Sequence, residues 1–239
     1  MSEGFGGRTV LVAGGTGGLG RAVSLAFLDA GAAVAATYRR RAELEALEAA
    51  AGPAAPRLSG HSVDVTNEGS ARMLVDEIVA RDGRLDCLVN AVGGYAGGEK
   101  LWEADPETFD RMLLLNFRSG LVLCRAAVPA MLKQGRGAIV NVASRSAVVH
   151  GKSEAAYAAS KAAAVAMIDS LAADLEGTGV RANSVLPSII DTEANRKAMP
   201  KADFSGWPKP EDIARVILFL CSDEARLVRG AAIPVYGDT

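Results

Sequence analysis

Short apolar runs rich in β-branched residues alternate along this chain with longer segments of mixed character. The first run, Thr-Val-Leu-Val-Ala at 9–13, is apolar without interruption, the mark of a strand buried on both faces of a parallel sheet. Runs of the same kind recur at 33–38, 58–63, 86–90, 137–142, 181–186 and 231–235. Between them the spacing of apolar positions predicts helices over 21–30, 42–51, 70–82, 155–176 and 210–220, and a long helix that opens at Asp105-Pro106-Glu107. That tripeptide places a capping acid, a proline at the first helical position and a glutamate in the first turn. Residues 52–56 read as a loop, and Pro187 as the opening of another. Alternation of this kind predicts an α/β fold: a doubly wound parallel sheet of about seven strands, flanked by helices through right-handed crossovers. Neither a low-complexity linker nor a repeat of fixed period divides the chain, so a single domain over 1–239 is expected.

The first strand runs directly into Gly14-Gly15-Thr16-Gly17-Gly18-Leu19-Gly20. Gly14, Gly18 and Gly20 suit a tight turn, a close backbone approach to a diphosphate and close helix–strand packing, while the following helix offers free amides to phosphate charge. A glycine-rich turn alone also has a purely conformational explanation; its place between strand and helix is what points to a dinucleotide. A nucleoside-triphosphate loop would need Gly-Lys-Ser/Thr, and this chain has Gly20-Arg21-Ala22. At the end of the second strand stand Tyr38, Arg39, Arg40 and Arg41, with no acid. An acid there would bind both ribose hydroxyls and favour NAD, whereas arginine suits a 2′-phosphate. The competing reading is a solvated helix start, although basic residues at a helix N-terminus oppose the macrodipole. Asp64, after the third strand, is placed either to meet an adenine edge or to form a turn or cap. Asn90, ending the fourth strand, is suited to bracing neighbouring loops through its amide.

The stretch 143–161 carries the chemistry. Tyr157 and Lys161 are four apart in an alanine-rich helix and share one face. A nearby ammonium is expected to lower the phenol pKa from its ordinary value of about 10, allowing the pair to move protons. Ser144 follows the fifth strand at the sheet's carboxyl edge, where ligands bind in such folds. A Tyr-x-x-x-Lys pair alone usually means a partly buried tyrosine beside a solvated lysine. Asn116 lies within the apolar run Met-Leu-Leu-Leu-Asn-Phe, so its amide needs partners: bending the helix, holding a water and bonding neighbouring backbone are all open.

The net charge of −2 leaves no basic footprint for nucleic acid or an anionic membrane. Cys87, Cys124 and Cys221 form no metal-ligand spacing and read as reduced core thiols. Residues 1–7 lack the charged and apolar regions of a signal peptide, and no apolar run reaches the length for spanning a bilayer, so a soluble, cytoplasmic protein without a metal is expected.

Over nearly its whole length the chain resembles the short-chain dehydrogenase/reductase family. The family's Thr-Gly-x-x-x-Gly-x-Gly turn is similar to 13–20, with Ala13 replacing threonine; its Asn-Asn-Ala-Gly element resembles Asn90-Ala91-Val92-Gly93; its Pro-Gly element corresponds to Pro187-Ser188. The resemblance implies a Rossmann-type domain that binds NADP(H), with NAD(H) as the alternative. The implied catalytic residues are Asn116, Ser144, Tyr157 and Lys161. Cofactor contacts are implied first in the glycine loop, at Gly14, Thr16, Gly17, Gly18, Leu19 and Gly20. Tyr38, Arg39, Asp64 and Val65 are implied around the adenosine. Asn90, Ala91 and Val92 are implied beside the fourth strand, and Pro187, Ser188, Ile190 and Thr192 near the nicotinamide and diphosphate, together with Tyr157 and Lys161.

By the same resemblance, hydride passes between nicotinamide and a carbonyl carbon while Tyr157 exchanges a proton with the oxygen. Ser144 would bind that oxygen, Lys161 the ribose, and Asn116 a relay water. The implied substrate is a small carbonyl or alcohol, the implied assembly a homodimer or homotetramer through the helices of Asn116 and Tyr157. His150, Gly93, Gly94, Tyr95 and the 188–207 loop are expected to shape the pocket. Residues 191–207 locally resemble dihydropteridine reductases, which keeps a pterin reductase as an alternative; a non-enzymatic NADP-sensing regulator is another. In that loop Asn195, Met199, Phe204 and Trp207 are candidate lid residues, with packing of the loop onto the body as the other reading for Phe204 and Trp207.

Overall fold

Residues 4–239 are described in a computed structural model, so the first three positions of the expected leaderless 1–7 segment lie outside the described residues. The strands are β1 (Thr9–Ala13), β2 (Ala33–Thr37), β3 (Leu58–His61), β4 (Cys87–Asn90), β5 (Gly137–Val142), β6 (Val180–Pro187) and β7 (Ala232–Val235). They form one parallel sheet in the order β3-β2-β1-β4-β5-β6-β7. The helices are α1 (Gly18–Asp29), α2 (Arg41–Ala51), α3 (Glu68–Asp82), α4 (Pro106–Leu113), α5 (Ser119–Gln134), α6 (Ala155–Asp174), α7 (Glu193–Ala198) and α8 (Pro210–Cys221).

Side chains of β1 alternate between two cores. Val10 and Val12 join Phe27 of α1 and Ile213, Ile217 and Leu220 of α8 on one face. Leu11 and Ala13 join Leu74 and Ile78 of α3, Leu123 of α5 and Ile168 of α6 on the other. Every residue of β1 is buried, which is why the strand reads as apolar without alternation. Because β1 lies between β2 and β4, the chain reverses its direction of travel across the sheet there. The loops leaving β1 and β4 therefore diverge and open a crevice at the carboxyl edge.

Several boundaries differ from the sequence expectation for local reasons. Helix α1 begins at Gly18 rather than 21, because the glycine turn itself winds into the helix, with Arg21 N–H donating to Gly17 O at 2.7 Å. Asn67 caps α3 through Ser70 N–H and starts it before 70. The expected loop at 52–56 is a 3₁₀ turn, Gly52–Arg57, in which Pro53 and Pro56 hold φ at helix-compatible values. β3 ends at His61 instead of 63, whereas β6 continues through Pro187, paired in register with Val235. At the last strand position a proline breaks little of the ladder. The short helix α7 within the 188–207 loop was not expected; Thr192 caps it through Asn195 N–H at 3.2 Å.

The long helix opening at Asp105 is continuous from Pro106 to Gln134 but contains a π-helical turn at Leu114–Arg118. By length and composition this segment is apolar enough to cross a membrane, contrary to the expectation that no run would be. In the fold, Val122, Leu123, Ala127 and Met131 are buried in the core beneath the sheet.

Candidate active site

Ser144 stands two residues beyond β5 in extended backbone and is 7% exposed. Its Oγ accepts the Ser146 amide at 3.2 Å, which leaves its hydroxyl proton to donate elsewhere. The Tyr157 hydroxyl lies within the influence of Ser144, which favours the phenolate. Lys161 is 4% exposed and donates from Nζ to Val142 O, the last carbonyl of β5, at 2.9 Å. The predicted trio is thus brought together at the carboxyl edge of β5.

One electrostatic expectation is overturned. Burial pushes the Tyr157 phenol above its ordinary value, and Glu154 and Tyr95 push it the same way, while Ser144 pulls it down. Lys161 does not lower it. Burial dominates, and the lysine is itself desolvated, pushed down to about 8, with its Nζ tied to Val142. The tyrosine is therefore held in its protonated form through neutrality.

Asn116 lies in the π-helical turn and is 1% exposed. Its Oδ1 accepts Gly94 N–H at 2.9 Å, and its Nδ2 donates to Gly94 O at 3.0 Å and Ser160 Oγ at 3.0 Å. Of the readings left open, backbone bonding and local helix distortion are both realised. The amide ties the loop after β4 to α6 one residue before Lys161. A Cβ on Gly93 would lie 2.9 Å from Asn116 Oδ1 and 3.0 Å from Lys161 Nζ, so glycine is needed where these elements converge. Asn90 acts as the expected brace, donating to Asn141 Oδ1 at 3.0 Å and accepting Val92 N–H at 3.2 Å.

A cavity of about 790 Å³ opens beside the glycine loop. Of the expected cofactor contacts, Gly14, Thr16, Gly17, Tyr38 and Arg39 line it near β1 and β2, with Asp64, Val65, Ala91 and Val92 opposite. Gly18, Leu19, Gly20, Asn90, Tyr157, Lys161, Pro187, Ser188, Ile190 and Thr192 are not on its walls. Leu19 is buried in the core, and Gly20 packs so tightly on the turn that a Cβ would sit 2.0 Å from Gly14 O. Thr192 nevertheless reaches the loop, since a Cβ on Gly18 would meet its Cγ2 at 2.9 Å. Ser188 Oγ donates to Tyr236 O at 2.6 Å, and Ile190 O accepts Asn195 Nδ2 at 2.8 Å, so both fasten the loop.

The three arginines are not equivalent. Arg40 pairs with Glu43, and Arg41 with Glu45 and Glu48; among the described residues Arg39 has no such partner. Asp64 forms the turn that was one of its two readings: its Oδ1 accepts the Thr66 amide at 2.9 Å and the Thr66 hydroxyl at 2.7 Å. Those bonds, with a smaller pull from Arg39, hold its carboxyl below the usual value. Sequence reasoning missed Thr37 and Glu43. The Thr37 hydroxyl accepts Gly14 N–H at 2.8 Å and pins the turn, while Glu43 lines the cavity and accepts the Thr16 hydroxyl at 3.3 Å. A hydroxyl ending β2 was the available signal for the first; nothing local marked the second.

The remaining loop residues divide. Trp207 is 7% exposed and packs edge-on to Phe204 at 4.8 Å, with Arg196 over the Phe204 ring, so this pair anchors the loop rather than hanging over the site. Tyr95 lies edge-on to Tyr157 at 5.0 Å. His150 faces a second cavity of about 690 Å³, on the far side of α6 among Leu101, Trp102, Ala155 and Ala159. The three cysteines are buried and free.

A family model described as enoyl-(acyl carrier protein) reductase matches residues 13–237. The 3-oxoacyl-(acyl-carrier-protein) reductase FabG of Thermotoga maritima is 31% identical over 239 residues, covering 97% of each chain. D-threitol dehydrogenase of Mycolicibacterium smegmatis is 34% identical over 242 residues, covering 97% of this chain and 92% of its own. The solved structure of ElxO with NADP bound superposes with a TM-score of 0.91 at 26% identity, covering 96% of this chain and 97% of that one. The chain belongs to the short-chain dehydrogenase/reductase family of oxidoreductases.

Proposed function

We propose that this protein is an NADP(H)-dependent oxidoreductase interconverting a ketone with a secondary alcohol, acting as one dinucleotide-binding unit. The observation that carries the reading is the convergence of Ser144, Tyr157 and Lys161 at the sheet edge beside the glycine-loop cavity. The cavity fits a dinucleotide on its own chemistry: a glycine turn at a helix N-terminus, and at Arg39 a guanidinium with no ion-pair partner among the described residues. NADP(H), when bound, supplies or accepts the hydride.

This chain's own residues manage the oxygen and its proton. Ser144 donates a hydrogen bond from its hydroxyl to the substrate oxygen and stabilises the charge that grows there, a contribution of roughly 2.7–4 kcal/mol for such donors. Tyr157, kept protonated by burial, gives its proton to that oxygen in reduction and takes it back in oxidation. Lys161 holds a polar hydrogen-bonding head at the floor of the site. Asn116 sets the backbone of Gly94 against α6 and so fixes the wall beside Lys161. In the 2′-phosphate assignment Arg39 is the cation that meets the phosphate.

The face of α6 away from Tyr157, with Ala155, Ala158 and Ala162 beside exposed Trp102, suits pairing of two copies as a dimer or tetramer. Light scattering at micromolar concentration tests this, and a clean monomer would refute it. The reaction is tested by titrating the protein with NADPH and NADH, then following absorbance with ketoacyl thioesters, diketones and a quinonoid pterin. NADPH binding with ketone reduction is the expected result; turnover of the pterin alone, with NADH, would replace this reading by a pterin reductase, and nucleotide binding without any turnover would favour a regulator.

A further inference from the structure

The segment between β5 and α6 is closed on itself by one carboxylate. Glu154 Oε1 accepts Gly151 N–H at 2.6 Å, and its Oε2 accepts the Ser146 hydroxyl at 3.2 Å. Ser146 in turn donates its amide to Ser144 Oγ at 3.2 Å, while its carbonyl lies 3.0 Å from His150 Nδ1. Ser146 is thus gripped through side chain, amide and carbonyl, and its amide decides where the Ser144 hydroxyl proton can point. Glu154 precedes α6, yet its side chain makes no capping bond to that helix; the carboxylate is turned to the loop instead.

Two further observations show that the position is built. Ser153, just before Glu154, has φ of 59°, in the left-handed region that non-glycine residues rarely adopt, and its carbonyl accepts Gly98 N–H at 2.7 Å. Strain of this kind persists where the surroundings over-determine the backbone. At Gly151 a Cβ would come within 2.8 Å of Glu154 Oε1, so that glycine leaves room for the carboxylate. Neither feature is used by the chemistry assigned above.

The carboxylate also bears on Tyr157 three residues later. The groups facing that phenol are Lys161 on its own helix, with Nζ 6.0 Å from the ring centroid, Tyr95 from the loop after β4 at 5.0 Å, Ser144 after β5, and Glu154. His150 and Lys152 lie on the loop itself and are exposed. Lys161 gives its ammonium to Val142 O, leaving the charge of Glu154 unopposed by any direct ion pair among the described residues.

We propose that Glu154 is a positioning residue of this site, orienting Ser144 through Ser146. The proposal rests on the carbonyl reaction inferred above. Its test compares Glu154→Gln and Glu154→Ala with the parent protein in two ways. One is single-turnover oxidation of bound NADPH by diacetyl; the other is titration of phenolate absorbance, with Tyr157→Phe identifying the Tyr157 component.

Glu154→Gln keeps an acceptor for Ser146 or Gly151 but loses the charge. Its reduction rate is expected to stay within about threefold of the parent while the phenolate component moves to lower pH. Glu154→Ala frees the loop and should slow the chemical step roughly tenfold to a hundredfold, with half-saturation by diacetyl little changed. A parent-like rate in Glu154→Ala overturns the proposal. A merely structural role would lower the folded fraction without changing the rate per bound nucleotide, and that outcome also overturns it. If the parent protein does not reduce diacetyl or any other carbonyl, the reaction reading falls by itself. The phenolate titration then still decides on Ser144: both variants lose the charge and only Glu154→Ala frees Ser146, so an identical Tyr157 component in the two overturns the positioning.

Discussion

Lys161 spends its ammonium on the carbonyl of Val142, 2.9 Å away, and stands 6.0 Å from the centroid of the Tyr157 ring. The lysine therefore joins α6 to the end of β5 and does not pair with the phenol. Burial is the common cause of both neighbours' behaviour: it favours the neutral form of each, raising the tyrosine and lowering the lysine. The protein thus presents a proton donor above a lysine that is half neutral near pH 8.

That relationship predicts a stability effect. The Lys161 pKa falls from 10.5 in the unfolded chain to about 8 in the fold. Between these values the unfolded state binds more protons, so stability rises with pH; it is fully regained above 10.5 and lost as pH falls through 8. The charged lysine costs on the order of 3 kcal/mol at pH 7, partly offset by its bond to Val142, about 1 kcal/mol. Lys161→Met should accordingly be more stable than the parent in urea melts at pH 7, with the advantage shrinking toward pH 10. A variant less stable at pH 7 would mean that the bond outweighs desolvation.

For Tyr157 the sign runs the other way. With its pKa raised, the acid form persists through neutrality. Carbonyl reduction should then be flat from about pH 6 to 8 and decline only as the phenol ionises, whereas alcohol oxidation should climb with pH over the same range. Tyr157→Phe should lose roughly a hundredfold or more in the hydride-transfer step while still binding nucleotide. Stopped-flow absorbance measures both, and a phenylalanine variant at parental speed would remove the tyrosine from the proton path.

The glycine turn offers a contrast between two helical glycines. Replacing glycine by alanine inside a helix ordinarily gains up to about 1 kcal/mol. At Gly69 of α3 the nearest atom to a new Cβ is Asn67 Oδ1 at 3.4 Å, an ordinary contact. At Gly20 the new Cβ would lie 2.0 Å from Gly14 O and 2.8 Å from Gly14 C, which are backbone atoms that cannot rotate away. Gly69→Ala should be neutral or stabilising, and Gly20→Ala should lose at least ~2 kcal/mol through overpacking. Equal melts for the two would show that the turn relaxes freely.

The same contrast explains what could be read in advance. Buried strands such as β1 announce themselves because both faces are covered, and the glycine turn because strand, turn and helix follow in order. Helical spacing put Tyr157 and Lys161 on one face, the family resemblance gave them a role, and the direction of the phenol shift was not legible, since it depends on how deeply each group is buried. Asn116 was flagged by its apolar neighbours, yet its partners, Gly94 and Ser160, come from distant segments. Thr37 and Glu43 escaped because nothing local tells which side chains of β2 and α2 turn into the crevice. The anchoring of Phe204 on Trp207 likewise depends on how the 188–207 loop closes on the body.

Arg39 carries the last prediction. Arg40 is committed to Glu43 and Arg41 to Glu45 and Glu48, so of the three clustered arginines Arg39 alone has no ion-pair partner among the described residues; Arg111, across the cavity, bonds the Thr108 hydroxyl. Charge-assisted bonds between a guanidinium and a phosphate are worth about 1.5–3 kcal/mol, roughly a tenfold to hundredfold change in dissociation constant. Arg39→Asp should weaken NADPH by at least that factor, through the lost cation and the repulsion between carboxylate and phosphate. NADH has no phosphate at that position, and a new acid at the end of β2 is placed to bind its ribose hydroxyls, so its affinity should hold or improve. Fluorescence titration with both nucleotides reads the ratio directly. Equal losses for the two would take Arg39 out of the phosphate site and assign its charge to the solvent, leaving the preference between the cofactors to Thr16, Tyr38 and Glu43, which line the same cavity.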